Sequence, residues 1–258
     1  MNFASHSNNT QSLTRLDKKI QMELSERDIE QGYWYYRPEE QFPPKSITFP
    51  NEYDGNQRLN VICTQTDLPA SRQRKLVKEW CQTFPCLECV QILWLNSKVN
   101  QELFEAVCKM KNLIGLNIKW SAIKRIDSIQ GLKNLRYLNL GGSSQVESID
   151  CLVDMKDLVW LEIDSFKKIT DISPLSNLSR LRGLSLEGSM WTTQIVDSLT
   201  PIGQLTNLEY LSIANLKAKD KTLMPLLNLK KLKTLHTAKW WPKSEISILK
   251  KEMPGLKV

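Results

Sequence analysis

Residues 135–140 read LRYLNL and residues 158–163 read LVWLEI, the same frame of apolar anchors 23 residues apart. Working outward from this pair, the frame recurs in both directions. Its anchors are Val90/Leu93/Leu95, Leu113/Leu116/Ile118, Leu135/Leu138/Leu140, Leu158/Leu161/Ile163, Leu181/Leu184/Leu186, Leu208/Leu211/Ile213 and Leu232/Leu235/Thr237. Successive first anchors lie 23, 22, 23, 23, 27 and 24 residues apart. The last two anchors of each triplet are separated by two, the period that puts side chains on one side of a strand. A sustained period of this length describes a solenoid, in which each repeat buries its apolar side against its neighbours; helical repeats run to about 33 residues or more.

A second set of apolar triplets keeps phase with the first, each ending three residues before the next anchor: Phe104/Val107/Met110, Ile126/Ile129/Leu132, Ile149/Leu152/Met155, Ile172/Leu175/Leu178, Leu199/Ile202/Leu205 and Leu223/Leu226/Leu229. Spacing by three suits 3₁₀ or short α turns. Pro174, Pro201 and Pro225 stand just before the middle residue, where a turn tolerates a missing N–H. The chain from Leu87 to Val258 therefore resembles the leucine-rich repeat family, of the bacterial type with repeats of about 22 residues. The resemblance implies an α/β solenoid, with a curved parallel sheet on the concave side and short turns on the convex side. One position departs from the family pattern. The asparagine expected three residues after the last strand anchor is replaced by Lys98, Ser121, Ser143, Phe166, Ser189, Leu216 and Trp240. Serine hydroxyls are expected to take over part of its hydrogen bonding.

The rest of the chain reads as flanks and caps. Residues 1–45 are polar and carry no repeat; Leu13, Leu16, Ile20 and Leu24 have helical spacing, and Ser25 to Asp28 looks like a helix start. The aromatic run Gly32-Tyr33-Trp34-Tyr35-Tyr36 either packs back onto the solenoid or meets a partner. Residues 46–89 are read as an N-terminal cap, with strands ITF and LNVIC and a helix over 72–84 burying Leu76, Val77 and Trp80. The repeats occupy 90–241, and 242–258 form a C-terminal cap, with a helix over 245–252 and a short strand at Leu256-Lys257-Val258.

With 258 residues, 41% of them hydrophobic, the chain can bury a continuous core. It has no apolar run long enough to span a membrane and no secretory h-region. Six cysteines scattered over apolar positions fit a reducing compartment, so a soluble, cytoplasmic protein, monomeric on its own, is expected. The net charge of +7 is confined to one end: residues 1–86 have 11 basic and 11 acidic side chains, 87–215 have 13 and 14, and 216–258 have 11 and 3. Nucleic-acid binding through that lysine-rich end would lack arginine forks for base readout.

Residues between the strand anchors face the concave side. There the sequence places Trp94, Tyr137, Trp160, Tyr210 and His236, with Lys119 and Trp120, Trp191, Trp240 and Trp241 at strand ends or on the adjoining rim. Clustered exposed aromatics are the makings of a binding hot spot. Glu162, Asp164 and Glu187 come from adjacent strands and repel one another unless a cation answers them, either Lys119 or a basic partner. The longest repeat inserts its extra residues near 188–193, a candidate for a further contact. Catalysis is not expected: His6 and His236 have no Ser or Cys placed to act with them. Cys81, Cys86, Cys89 and Cys108 match an iron–sulfur spacing, but the stretch ends in a repeat strand and lacks the small residues that wrap a cluster, so they are read as core cysteines of a cap. No cofactor is expected. The reading is a non-catalytic scaffold that sequesters one protein partner on its concave face, in its most specific form an immunity or antitoxin-like protein blocking a basic toxin. Its alternatives are a nucleic-acid-associated protein working through the lysine-rich end, and an effector or adaptor in a larger complex.

Overall fold

The computed structural model describes residues 23–189 and 191–258. The helix read from Leu13, Leu16 and Ile20 lies outside them. The described chain begins with a short helix, α1 (Glu26–Gln31), whose capping box is complete: Ser25 Oγ accepts from the Asp28 amide, and the Asp28 carboxylate accepts from the Ser25 amide. Strand β1 (Arg58–Val61) and helix α2 (Ala70–Thr83) follow, then β2 (Ile92–Val99), α3 (Gln101–Val107), β3 (Gly115–Ser121), β4 (Tyr137–Leu140), β5 (Trp160–Asp164), β6 (Gly183–Glu187), β7 (Gln194–Val196), β8 (Tyr210–Ile213), β9 (Leu216–Ala218), β10 (Thr234–Thr237) and α4 (Lys243–Glu252).

Among the described residues, eight strands form one parallel sheet in the order β1-β2-β3-β4-β5-β6-β8-β10. The register aligns one anchor from every repeat into a continuous row: Leu59, Leu93, Leu116, Leu138, Leu161, Leu184, Leu211 and Leu235. This row faces the core, where it meets the middle residues of the convex turns, Ile129, Leu152, Leu175, Ile202 and Leu226, all fully buried. The turns are 3₁₀ at Asp127–Gly131, Asp150–Asp154, Ser173–Asn177, Ile202–Gln204 and Met224–Asn228, with Pro174 and Pro225 at their starts. The first convex segment is a true helix, α3, capped by the Asn100 side chain.

The caps differ from the sequence reading in detail. β1 extends the sheet beyond the seven anchor triplets, while the expected ITF strand is reduced to one bridge between Ile47 and Val61. Likewise the expected terminal strand is one bridge from Thr234 to Lys257, and α4 starts two residues earlier than read. α2 lays Leu76, Val77 and Trp80 over the open end of the first repeat, with Trp80 Nε1 donating to the Thr48 carbonyl at 2.8 Å. The extra residues of the 27-residue repeat build β7, which pairs with β9.

Hydrogen bonds along the edges show what replaces the missing asparagine. Ser97, one residue before Lys98, accepts through its Oγ from the amides of Cys63 and Thr64, and at the asparagine position itself the hydroxyls of Ser121 and Ser143 bond at 2.7 Å. Phe166 and Leu216 fill the same position with apolar bulk. On the opposite edge, the asparagine before the first anchor supplies a ladder of its own: Asn112, Asn134 and Asn207 each donate to a carbonyl of the preceding repeat, at 2.8–2.9 Å.

Candidate functional site

The concave face is covered by the chain's own residues 24–44. α1 ends at Gly32, whose φ of +92° a side-chain-bearing residue adopts only under strain. The turn it makes lies against the Tyr210 hydroxyl and the Glu162 carboxylate, and drops the next two rings onto the sheet. Tyr33 stacks on Tyr137 at 4.2 Å between centroids, and Trp34 and Phe42 meet Trp94 edge-on at 5.7 and 4.7 Å. Together with Ile29, Ile92, Trp160 and Tyr210, these side chains form a second apolar cluster, separate from the repeat core. Arg37 is buried with them; its guanidinium lies 3.8 Å from the Phe42 centroid and pairs with Asp28 at 2.5 Å.

The expectation that Trp94, Tyr137, Trp160 and Tyr210 are exposed is therefore corrected: each is at most 7% exposed. The register explains how the face takes so many rings. Tyr137, Trp160 and Tyr210 share one row with two glycines, Gly115 and Gly183. A Cβ on Gly183 would fall 2.1 Å from the Trp160 ring, so the indole lies flat over the glycine. At Gly115 the missing side chain leaves a notch occupied by the tip of Trp34.

The acidic trio is also answered from within. Glu162 accepts from Trp160 Nε1 at 2.7 Å and Asn139 Nδ2 at 3.3 Å, Asp164 from the Gly142 amide, and Glu187 from the Ser212 hydroxyl. Burial pushes Glu162 up to about 7, the Trp160 bond opposing and the Glu187 and Asp164 charges adding to it. Asp164 is raised as well, chiefly by burial and against the pull of the Gly142 bond. Lys119 does not serve as the counter-ion: its ammonium sits 4.5 Å from the Trp120 ring centroid.

What remains exposed is the edge at the C-terminal ends of the strands. Because the strands are parallel, the segments leaving β3, β6 and β10 all emerge on this one edge. Trp120 stands at the end of β3 and Trp191 and Trp240 lie on the segments leaving β6 and β10, exposed to 48%, 88% and 45%. Trp191 rides on the inserted loop, which Asn215 ties down by donating its side-chain amide to the Ser189 and Thr192 carbonyls. Trp240 is fixed by its Nε1 bond to the Leu216 carbonyl, and Lys217 lies 5.0 Å from its ring centroid. His236 is exposed beside Tyr210, with ring centroids 5.5 Å apart. Trp241, read as a rim residue, is instead buried in the repeat core.

Among solved structures, the chain is similar to internalin C2 (inlC2) of Listeria monocytogenes, with 26% identity and a TM-score of 0.53 over 70% of this chain and 78% of that one. The chain is a leucine-rich repeat protein. Other similar structures are the internalin inlF of the same organism (19% identity, TM-score 0.47, 67% of this chain and 54% of that one) and the plant peptide hormone receptor RGFR1 in complex with RGF2 (19%, 0.47, 75% and 30%). No protein-family model and no curated protein matches the sequence.

In this leucine-rich repeat protein the residues singled out from sequence fall into two groups. Trp94, Tyr137, Trp160, Glu162 and Tyr210 lie beneath residues 24–44, while Lys119, Trp120, Trp191, His236 and Trp240 face solvent; Asp164 and Glu187 are partly exposed between them. Sequence reasoning missed Ile29 and Phe42 as parts of the face and Asn215 as the clamp of the inserted loop. The glycines at 115 and 183, in a row otherwise rich in rings, were the available signal. The lysine-rich end is partly neutralised: Lys219 pairs with Asp197, Lys233 with Glu209, and Lys257 with Glu30 of α1. Among the described residues, no group of His, Cys, Asp and Glu could hold a metal ion, and no helix is long and apolar enough to cross a membrane.

Proposed function

We propose that the chain is a non-catalytic scaffold that holds one protein partner against its tryptophan rim, with Trp120, Trp191 and Trp240 as anchors and Lys119 and His236 beside them. The observation carrying this reading is Trp191, which is 88% exposed on a loop that hydrogen bonds hold in place. A large ring presented at little conformational cost is what an interface hot spot requires, and its truncation costs about 2 kcal/mol or more. Lysines stand over two of the three rings, and the carboxylates beside them already have donors. The partner surface that fits is therefore apolar and acidic, the reverse of the basic toxin expected from the sequence. Sequestration, as an immunity or antitoxin-like protein performs it, is the proposed mode. The cytoplasm is the proposed compartment, supported by six cysteines that are all unpaired thiols.

The test is a cross-linked pull-down from host extract with the intact chain, run beside a Trp191→Ala/Trp240→Ala variant with unchanged circular dichroism. One stoichiometric protein recovered by the parent and lost by the variant supports the rim. Equal recovery by both overturns it.

A further inference from the structure

Residues 24–44 are built like a bound peptide. Their main-chain bonds close within the segment: Gly32 N to Asp28 O at 2.9 Å, Tyr35 N to Gly32 O at 3.2 Å, and Arg37 and Phe42 bonding each other in both directions at 2.8 and 3.0 Å. The segment's own β-bridge, Arg37 to Phe42, is internal, and so is its buried ion pair. Against the repeats it sets side chains, Ile29, Tyr33, Trp34 and Phe42, into a groove whose notch at Gly115 receives Trp34. Its polar ties to the rest of the chain include Arg58 Nη1 donating to the Glu40 carbonyl at 2.9 Å, Asn60 Nδ2 donating to the Pro44 carbonyl at 2.8 Å, and Lys257 pairing with Glu30. Leaving the groove would therefore break side-chain contacts but no sheet ladder, so the segment can separate without unpairing any strand of the sheet.

The fit also carries unspent cost. Trp34 Nε1 is buried without a hydrogen-bond partner, a defect a different occupant could remedy. Glu162 is held under the Gly32 turn among Asp164, Glu187 and Tyr210, with Trp160 and Asn139 as its donors.

We propose that the concave groove over β2 to β8 is a peptide-binding site, that residues 24–44 are its resident and displaceable ligand, and that it accepts a partner segment of the same chemistry: a helix end followed by a glycine turn and closely spaced aromatic rings. This surface is distinct from the rim, and its test does not depend on the rim's partner. In the native chain the tethered segment acts at an effective concentration on the millimolar scale, so a competitor in trans binds only where the resident segment is weakened.

The probe is a synthetic peptide of residues 24–44, titrated calorimetrically into the full-length parent and into a full-length Tyr33→Ala/Phe42→Ala variant. One peptide per chain bound by the variant, at least tenfold tighter than by the parent, is the expected result. Equal binding by both, or none by the variant, overturns the proposal. Should the variant fail to fold, hydrogen exchange on the unmodified chain decides. Amides of Gly32, Tyr35, Arg37 and Phe42 exchanging well before those of β3 to β6 uphold the proposal, and exchange of both sets only through global unfolding overturns it.

Discussion

Glu162 shows how far one carboxylate can be moved by a chain folding over it. Its proton affinity is raised to about 7 from an ordinary carboxylate value, mainly by burial. A raised folded-state value means the native chain binds more protons than the unfolded one between about pH 4.5 and pH 7, so stability falls as pH rises through that window and levels off above it. The loss amounts to at most about 3 kcal/mol. Glu162→Gln, which cannot ionise, is expected to flatten this dependence, read as urea midpoints between pH 5 and pH 8. A midpoint of the parent that does not fall over that range would show the carboxylate to be solvated. Gly183 sets a second constraint at this scale. A methyl group there meets the Trp160 ring at 2.1 Å, so the indole must move. Overpacking of this kind costs about 1–3 kcal/mol, and Gly183→Ala is expected to lower the denaturation midpoint accordingly.

The elements divide into those the sequence made legible and those it did not. Strands β2 to β6, β8 and β10 and the convex turns follow from apolar anchors, because each anchor has one side of a strand or turn to occupy and the register of the next repeat repeats the demand. Docking of residues 24–44 was not legible in this way. GYWYY has no period, and a run of rings is equally compatible with a partner and with the chain's own surface. Phe42 lies 9 residues beyond Tyr33 and joins it only because the Arg37–Phe42 bridge turns the chain back. Likewise the excess length of the 27-residue repeat signalled a loop near 188–193, but side-chain bonds that tie it down come from Asn215, one repeat later. Removing that side chain takes away its bonds to the Ser189 and Thr192 carbonyls. Asn215→Ala is expected to cost about 1–2 kcal/mol and to speed hydrogen exchange at the Thr192 and Gln194 amides while leaving β3 to β5 unchanged. Unaltered exchange around Trp191 would show that the loop holds itself.

At the scale of the whole molecule, the curved sheet has been used twice. Its inner surface is closed by the chain's own aromatic segment, joined at the far end by Lys257 and Glu30, and its C-terminal edge is left to present three tryptophans. Charge follows the same division: carboxylates beneath and beside the segment receive donors from the chain, and two of the three exposed rings carry lysines. The sequence alone places all of these residues on one face or its border, but only folding separates the covered from the open ones. Oxidative footprinting of tryptophan in the full-length chain, read by mass spectrometry, tests that separation directly. Trp120, Trp191 and Trp240 are expected to be modified rapidly, with Trp191 fastest, while Trp94 and Trp160, covered by residues 24–44, are modified far more slowly. Modification of Trp94 and Trp160 at the rate of Trp191 would mean that the concave face is open, and would contradict the account.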